Sequence, residues 1–266
     1  MYEKTDDCLF AEERKQLIIE AVNEYEKTTV TDLCERFSVS PGTIRNDLRE
    51  LEEGGFLKRT HGGAISIKKV TYEPNTYEKE VERVREKVAI ARVAATIVQP
   101  GDSIALDTGT TTFELAKLIA NVPDLTIVTN DLQIASYLEE HSEAVVLITG
   151  GRIRKNFHCT LGQSVLDMIQ NINVDKLFLA TNGMSIAKGL SSPNLDTANV
   201  KSALIKSASQ VILVADSDKI EKNYFVRFAM LNELDMLITD SGADREFLDA
   251  VEKARVEVRV AECECQ

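Results

Sequence analysis

No apolar run in the 266-residue sequence approaches the roughly 20 residues that a bilayer-spanning helix needs. The stretch from Met1 to Phe10 is acidic and polar, so no signal peptide is expected and the chain reads as cytoplasmic. Cysteine is scarce and odd in number: Cys8, Cys34, Cys159, Cys263 and Cys265. Without an export signal, that count argues against a disulfide framework. Cys263 and Cys265 form a C-x-C pair with no second pair or nearby histidine to complete a metal site, so none is expected. Cys34 falls on the apolar face of a helix and reads as core. The glycine-rich dinucleotide fingerprint G-x-G-x-x-G is absent, as are tandem repeats and low-complexity tracts. His141 and His158 lack any partner pattern that suggests catalysis. No cofactor is expected.

What is present describes an ordinary globular protein, 44% hydrophobic and 28% charged, long enough for one large domain and one small. Its net charge is −12, which repels nucleic acid as a whole. The charge is uneven, however. Residues 1–70 carry −3, the remainder −9, and Arg36 to Lys69 carries +3. The basic excess is therefore local, and weak nonspecific binding to DNA is expected beside it.

That basic stretch has the punctuation of a DNA reader. A first helix is predicted from about Glu12 to Tyr25, with Leu17, Ile18, Ala21, Val22 and Tyr25 on one stripe. Thr29 and Asp32 form a capping-box pattern, followed by Val30, Leu33, Cys34 and Phe37 at helical spacing. After a turn at Ser38-Val39, Ser40 is a good N-cap and Pro41 occupies the first helical position. Ile44, Leu48 and Leu51 face inward, and Gly54-Gly55 ends the helix. Phe56 to Arg59 and Ala64 to Ile67 flank Thr-His-Gly-Gly as a hairpin. The expectation is an α+β winged helix-turn-helix over residues 8–67.

Residues 68–76 are polar, carry Pro74 and read as a linker; a connector helix is predicted from about Tyr77 to Val98, closing a 68–98 segment. Residues 99–262 then alternate. Strands are predicted at Ser103 to Asp107, Leu125 to Thr129, Val145 to Thr149, Lys176 to Thr181, Val211 to Ala215 and Met236 to Thr239, separated mostly by helical patterns. Such alternation makes a parallel sheet covered on both faces, an α/β Rossmann-like domain.

Two sets of residues carry chemistry. Thr43, Arg45, Asn46 and Arg49 lie away from the apolar face of the third helix. Arginine suits the O6/N7 edge of guanine and asparagine the N6/N7 edge of adenine in a major groove. Ser40 and the first backbone N–H groups suit a phosphate, and Lys58, Arg59 and His61 on the wing suit the DNA backbone or minor groove. The second set begins with Asp107-Thr108-Gly109-Thr110-Thr111-Thr112, between a strand and a helix. It offers hydroxyls and N–H groups to an anion but lacks the lysine of a nucleotide P-loop. Strand ends at Thr129-Asn130 and Thr149-Gly150-Gly151 could share the same pocket. Lys201 and Lys219 are further candidates for neutralising a phosphate, with a plain surface role as the alternative for each.

Taken together these residues resemble the DeoR family of bacterial sugar-metabolism regulators over nearly the whole chain. The resemblance runs through Ser40 to Leu48, Arg59 to Ala64, Asp107 to Thr112, Val128 to Asn130, Gly150-Gly151 and Asp216 to Lys219. It implies a repressor of a carbohydrate operon whose C-terminal sensor has the ribose-5-phosphate-isomerase-like fold and binds a phosphorylated sugar. It also implies a homo-oligomer, dimer or tetramer, on double-stranded operator DNA. By position, the effector residues are Asp107, Gly109, Thr110, Thr111, Thr112, Asn130, Gly150, Gly151 and Lys201, with Lys219 beside them. Two departures stand out: the family usually has Arg where Asn46 stands and Glu where Thr197 stands, though Asp196 is adjacent. An isomerase is the rival, but moving a proton between sugar carbons needs a positioned base. Isomerases of that fold carry an acid-rich segment where this chain has Thr181-Asn182-Gly183-Met184-Ser185. No catalytic residue is expected.

Overall fold

The computed structural model describes residues 10–25, 27–66, 70–71 and 73–263. They divide into two compact units between Lys69 and Val70. Cys8, Cys265, Ile67 and the linker residues Lys68, Lys69 and Tyr72 lie outside the described residues.

The smaller unit runs α1 (Ala11–Tyr25), β1 (Lys27–Thr29), α2 (Val30–Phe37), α3 (Pro41–Glu53), β2 (Leu57–Thr60) and β3 (Gly63–Ser66). Both predicted caps form. The Thr29 hydroxyl accepts from Asp32 N–H while the Asp32 carboxylate accepts from Thr29 N–H, and the Ser40 hydroxyl accepts from Thr43 N–H. Ser38 turns the chain between α2 and α3 in the left-handed region, φ 53°. Ile18, Val22, Leu33, Ile44, Leu48 and Leu57 are buried in one core. A buried ion pair crosses it: Arg14 on α1 donates to both carboxylate oxygens of Asp47 on α3, at 2.7 and 3.2 Å. The wing is an antiparallel sheet ordered β1-β3-β2, so a short strand ahead of α2 joins the predicted hairpin. Gly63 is obligatory there, since a Cβ would lie 1.9 Å from the Thr28 carbonyl oxygen.

The larger unit begins with α4 (Thr76–Val81) and α5 (Val84–Ala95), where the spacing predicts one helix from Tyr77 to Val98. The break has a cause. Lys87 is 5% exposed, and its ammonium donates to the Lys79 carbonyl and, at 2.6 Å, to the Glu82 carbonyl. A continuous helix would spend those carbonyls on its own N–H groups, but a buried ammonium must find acceptors. Arg83 turns the corner with φ 51°, its guanidinium donating to Ser217 at 2.9 Å and Asp240 at 3.1 Å.

Beyond the corner run β4 (Ser103–Leu106), α6 (Thr110–Ile119), β5 (Thr126–Thr129), α7 (Leu132–His141), β6 (Val145–Ile148), β7 (Arg152–Arg154), β8 (Cys159–Leu161) and α8 (Gln163–Ile169). Then follow β9 (Val174–Leu179), β10 (Gly183–Ser185), β11 (Gly189–Ser192), α9 (Leu195–Ser207), β12 (Ala208–Val214), β13 (Val226–Ala229), β14 (Met236–Asp240), α10 (Arg245–Lys253) and β15 (Glu257–Ala261). Seven strands form one parallel sheet, β15-β14-β12-β9-β4-β5-β6. Two cores cover its faces, one holding Leu115, Ile119, Ile134 and Phe178 beside α5, α6 and α7, the other Val165, Leu177, Leu204 and Val251 beside α8, α9 and α10. All six predicted strands are in this sheet. The edge strand β15, the hairpin β7-β8 and the small antiparallel sheet β10-β11-β13 are additions, built mostly from runs of three to five residues too short to show a period.

Candidate functional site

In the smaller unit, the predicted contact residues reach solvent. Ser40, Arg45, Asn46 and Arg49 are exposed on or just before α3, and Thr43 is half-buried beside Ser40, with 2.9 Å between the two hydroxyls. Lys58 and Arg59 on β2 and His61 at the hairpin tip are exposed as well. The inward residues Ile44, Asp47, Leu48 and Leu51 fix which way α3 turns. Asn46 donates to Glu50 Oε1 at 3.1 Å, and Lys15 pairs with Glu50 at 2.6 Å. The neighbouring acidic residue is thus held along the helix, leaving Arg45 and Arg49 as the outward cations of α3.

In the larger unit, Asp107 and Gly109–Thr112 follow β4, Asn130 follows β5 and Gly150-Gly151 follow β6, while Lys201 lies on α9 and Lys219 follows β12. Asp107 follows β4 and is sealed, 0% exposed. One of its carboxylate oxygens accepts from the Lys201 ammonium of α9 and from Ala180 N–H at 3.0 Å. Lys201 also donates to the Ala180 carbonyl at 2.9 Å. The charge of Lys201 is therefore already opposed inside the protein. Gly109 precedes α6, where a Cβ would meet Ala180 Cβ at 3.0 Å, and no side chain caps the helix N-terminus. Thr112 donates to the Gly109 carbonyl at 2.8 Å; Thr110 is half-buried and Thr111 nearly buried.

Hydroxyls and amides tie the loops together. Thr108 donates to Asp131 at 2.7 Å, Asn130 to the Thr160 carbonyl at 3.3 Å, and the Thr160 hydroxyl to the Thr149 carbonyl at 2.8 Å. Burial pushes the Asp131 carboxyl above its usual range against the hydrogen bonds it accepts. Asp107 Oδ1 and Asn130 Oδ1 are buried acceptors with no hydrogen-bond donor among the described residues. Gly150 and Gly151 are exposed and open the hairpin β7-β8 rather than line the buried cluster. Lys219 lies in a short turn after β12, half-buried, 3.6 Å from Asp216 and 3.9 Å from Asp218.

The sequence reading missed a second cluster beside this one. Glu73, in the stretch read as linker, has a 7% exposed side chain and accepts from Lys79 at 2.8 Å, Arg154 at 2.8 Å and Asn182 at 2.9 Å. Burial works to raise its pKa, but Lys79 and Arg154 outweigh it and hold the carboxyl below the usual range. Burial conversely lowers the Lys79 pKa, with Glu73 opposing. Arg154 lies over the Phe157 ring at 3.5 Å and also reaches Thr197 Oγ1 at 3.4 Å. Asp196, beside it, turns instead to Arg152 at 2.9 Å. The available signal was Asn75-x-x-Glu78, a capping box that starts α4 just after Glu73.

Comparison with known proteins agrees over both units. The profile of the DeoR-like helix-turn-helix domain matches residues 14–70, and that of the DeoR C terminal sensor domain matches residues 82–241. The chain is 37% identical to the HTH-type transcriptional regulator GlpR of Haloferax volcanii, covering 92% of this chain and 96% of the relative. It is 33% identical to a putative aga operon transcriptional repressor of Escherichia coli O157:H7, covering 92% of each. With the HTH-type transcriptional repressor GlcR of Bacillus subtilis (strain 168) the identity is 32%, over 96% of this chain and 98% of the relative. Among solved structures, a D-ribose-5-phosphate isomerase in complex with phospho-erythronic acid is similar over 50% of this chain and 52% of that one, at 17% identity and a TM-score of 0.38.

Proposed function

This chain belongs to the DeoR family of transcriptional regulators, a family of DNA-binding regulators rather than enzymes, and from that premise we propose that it represses a carbohydrate operon under the control of a phosphorylated sugar. The reading takes α3 and the wing as the operator contact. Arg45, Asn46 and Arg49 read bases, and Ser40, Thr43, Lys58, Arg59 and His61 hold the DNA backbone. The relatives named as repressors, one of them of an aga operon, support the direction of control.

The sensor reading rests above all on one observation: an uncapped helix N-terminus at Gly109–Thr112 beside two buried, donor-less acceptors, Asp107 Oδ1 and Asn130 Oδ1. Backbone N–H groups at a helix start favour a phosphate, and sugar hydroxyls supply the donors the two acceptors lack. Lys201 acts in this reading by orienting Asp107, Lys219 by holding Asp216 at the rim, and Gly150-Gly151 by letting the hairpin leave the sheet.

A panel of hexose, pentose and triose phosphates added to the full chain tests the reading by thermal shift. A ligand present at about 100 times its Kd stabilises by about 2.7 kcal/mol, a rise of a few degrees in Tm. Asn130→Ala should abolish that rise, and a panel with no stabilising member would contradict the reading.

The reading also includes a homo-oligomer. Strand β6 ends the sheet, exposing Val145, Leu147 and Ile148 on an edge without a paired neighbour among the described residues. Such an apolar edge is an association surface, and a second copy is the occupant proposed.

A further inference from the structure

Asp107, Asn130 and Lys201 are 0%, 2% and 3% exposed. A polar ligand that reaches them needs a way in. The segment from Glu73 to Arg83 crosses the loops at the carboxyl ends of the strands and is fastened to each in turn. Thr76 N–H donates to the Asn156 carbonyl at 3.1 Å, Gln133 donates to Glu80 at 3.1 Å, and Glu73 joins Arg154 and Asn182. Tyr77 meets His158 edge-on at 5.3 Å between ring centroids. Helix α4 packs against α6, whose first turn is the Gly109–Thr112 loop.

We infer that Lys79, Arg154 and Asn182 form a second anion-binding subsite, separate from the Gly109–Thr112 helix start, in which the Glu73 carboxylate is a resident competitor displaced by an incoming phosphoryl dianion. Charge supports the exchange. Nearby, Lys201 faces Asp107 and Lys219 faces Asp216, so each cation has its own carboxylate. Among the described residues Lys79 and Arg154 have only the Glu73 carboxylate between them, and the subsite keeps one positive charge in excess with Glu73 in place. A phosphoryl dianion matches the two cations fully and presents more acceptor oxygens to the three donors than a carboxylate does. Lys79 sits on a helix of six residues joined to α5 through the strained Arg83 corner.

Displacement has a consequence for the rest of the chain. Glu73 follows Ser66, the last residue of the wing, by seven residues. Releasing its carboxylate loosens the segment that leads into the DNA-binding unit, which gives effector binding a differential effect on two states of the chain. This inference rests on the sugar-phosphate reading for the identity of the displacing group, but the subsite can be tested without it.

The test uses Glu73→Gln, which keeps the side-chain shape and removes the charge, in the full chain titrated calorimetrically with inorganic phosphate. The variant should bind phosphate about tenfold more tightly than the wild type, within the usual range of intramolecular coupling. Arg154→Ala placed on the Glu73→Gln background should lose that gain. Hydrogen exchange on the wild type is independent of how the variants fold: phosphate should raise exchange in residues 73–81. Equal or weaker binding by Glu73→Gln, phosphate binding by neither protein, or unchanged protection of 73–81 at saturating phosphate overturns the inference. If the variant gains phosphate binding while sugar phosphates leave operator affinity unchanged, the subsite stands and the sugar-sensor reading fails.

Discussion

On the proposed reading, single residues set the base contacts and the charge balance of the site. Arg45 is exposed on α3 between the buried Ile44 and Asp47, so its guanidinium can enter a groove without disturbing the core. Arg45→Ala should weaken operator binding by about 1–3 kcal/mol, roughly fivefold to 150-fold, and relax specificity at one base pair. Electrophoretic mobility shifts against single-base operator variants check both effects; a uniform loss across all variants would make Arg45 a backbone contact instead. Glu73 makes a prediction in pH. Its folded-state pKa lies below the ordinary value of 4.5, so its contribution to stability is fully present above that value and is lost as pH falls through the lowered one. The Tm difference between wild type and Glu73→Gln should therefore be constant from neutral pH down to about 5 and shrink in more acid solution. A difference that grew on acidification would contradict the assignment of Glu73 as an ionised partner of Lys79 and Arg154.

Elements were legible where their signals were local. The caps at Thr29 and Ser40, the apolar spacing of α2 and α3 and the Gly62-Gly63 hairpin all act within a few residues, and the smaller unit follows from them. Five of the six predicted strands were legible because a parallel strand buried on both faces is apolar throughout; β6 is as apolar in sequence although it lies exposed at the sheet edge. The break between α4 and α5 was not, because its cause is Lys87 seeking carbonyls on the preceding turn, and a lysine in a helical pattern usually reads as surface. The Glu73 cluster was equally hidden. Its partners Arg154 and Asn182 lie far along the chain, and Glu73-Pro74-Asn75 has the composition of a linker. The buried Arg14–Asp47 pair is another long-range feature, joining α1 to α3. Asp47→Ala should destabilise the smaller unit by about 3 kcal/mol, at the low end for loss of one partner of a buried pair, as measured by urea denaturation. An effect below about 1 kcal/mol would place this pair with surface salt bridges. On the opposite unit, Val145→Lys puts a charge on the β6 edge. Sedimentation should then show a smaller species than the wild type; an unchanged mass would remove β6 from the oligomer interface.

For the whole molecule, the governing fact is a chain of net charge −12 that carries +3 over Arg36–Lys69. The net charge repels DNA, so on the proposed reading affinity depends on the few contacts of α3 and the wing, and small changes in how those are presented have large effects on occupancy. The proposed effector cluster, buried and crossed by the segment that leads into the DNA-binding unit, suits control of that kind. Among the described residues no helix is long and apolar enough to cross a membrane. The most direct measurement is the affinity of the full chain for its own operator, obtained by selection from random-sequence DNA, at fixed salt, with and without the sugar phosphate that stabilises it. The account predicts a fall of at least about tenfold on adding that sugar phosphate, and little change with the unphosphorylated sugar. An operator affinity indifferent to every sugar phosphate that binds would contradict it.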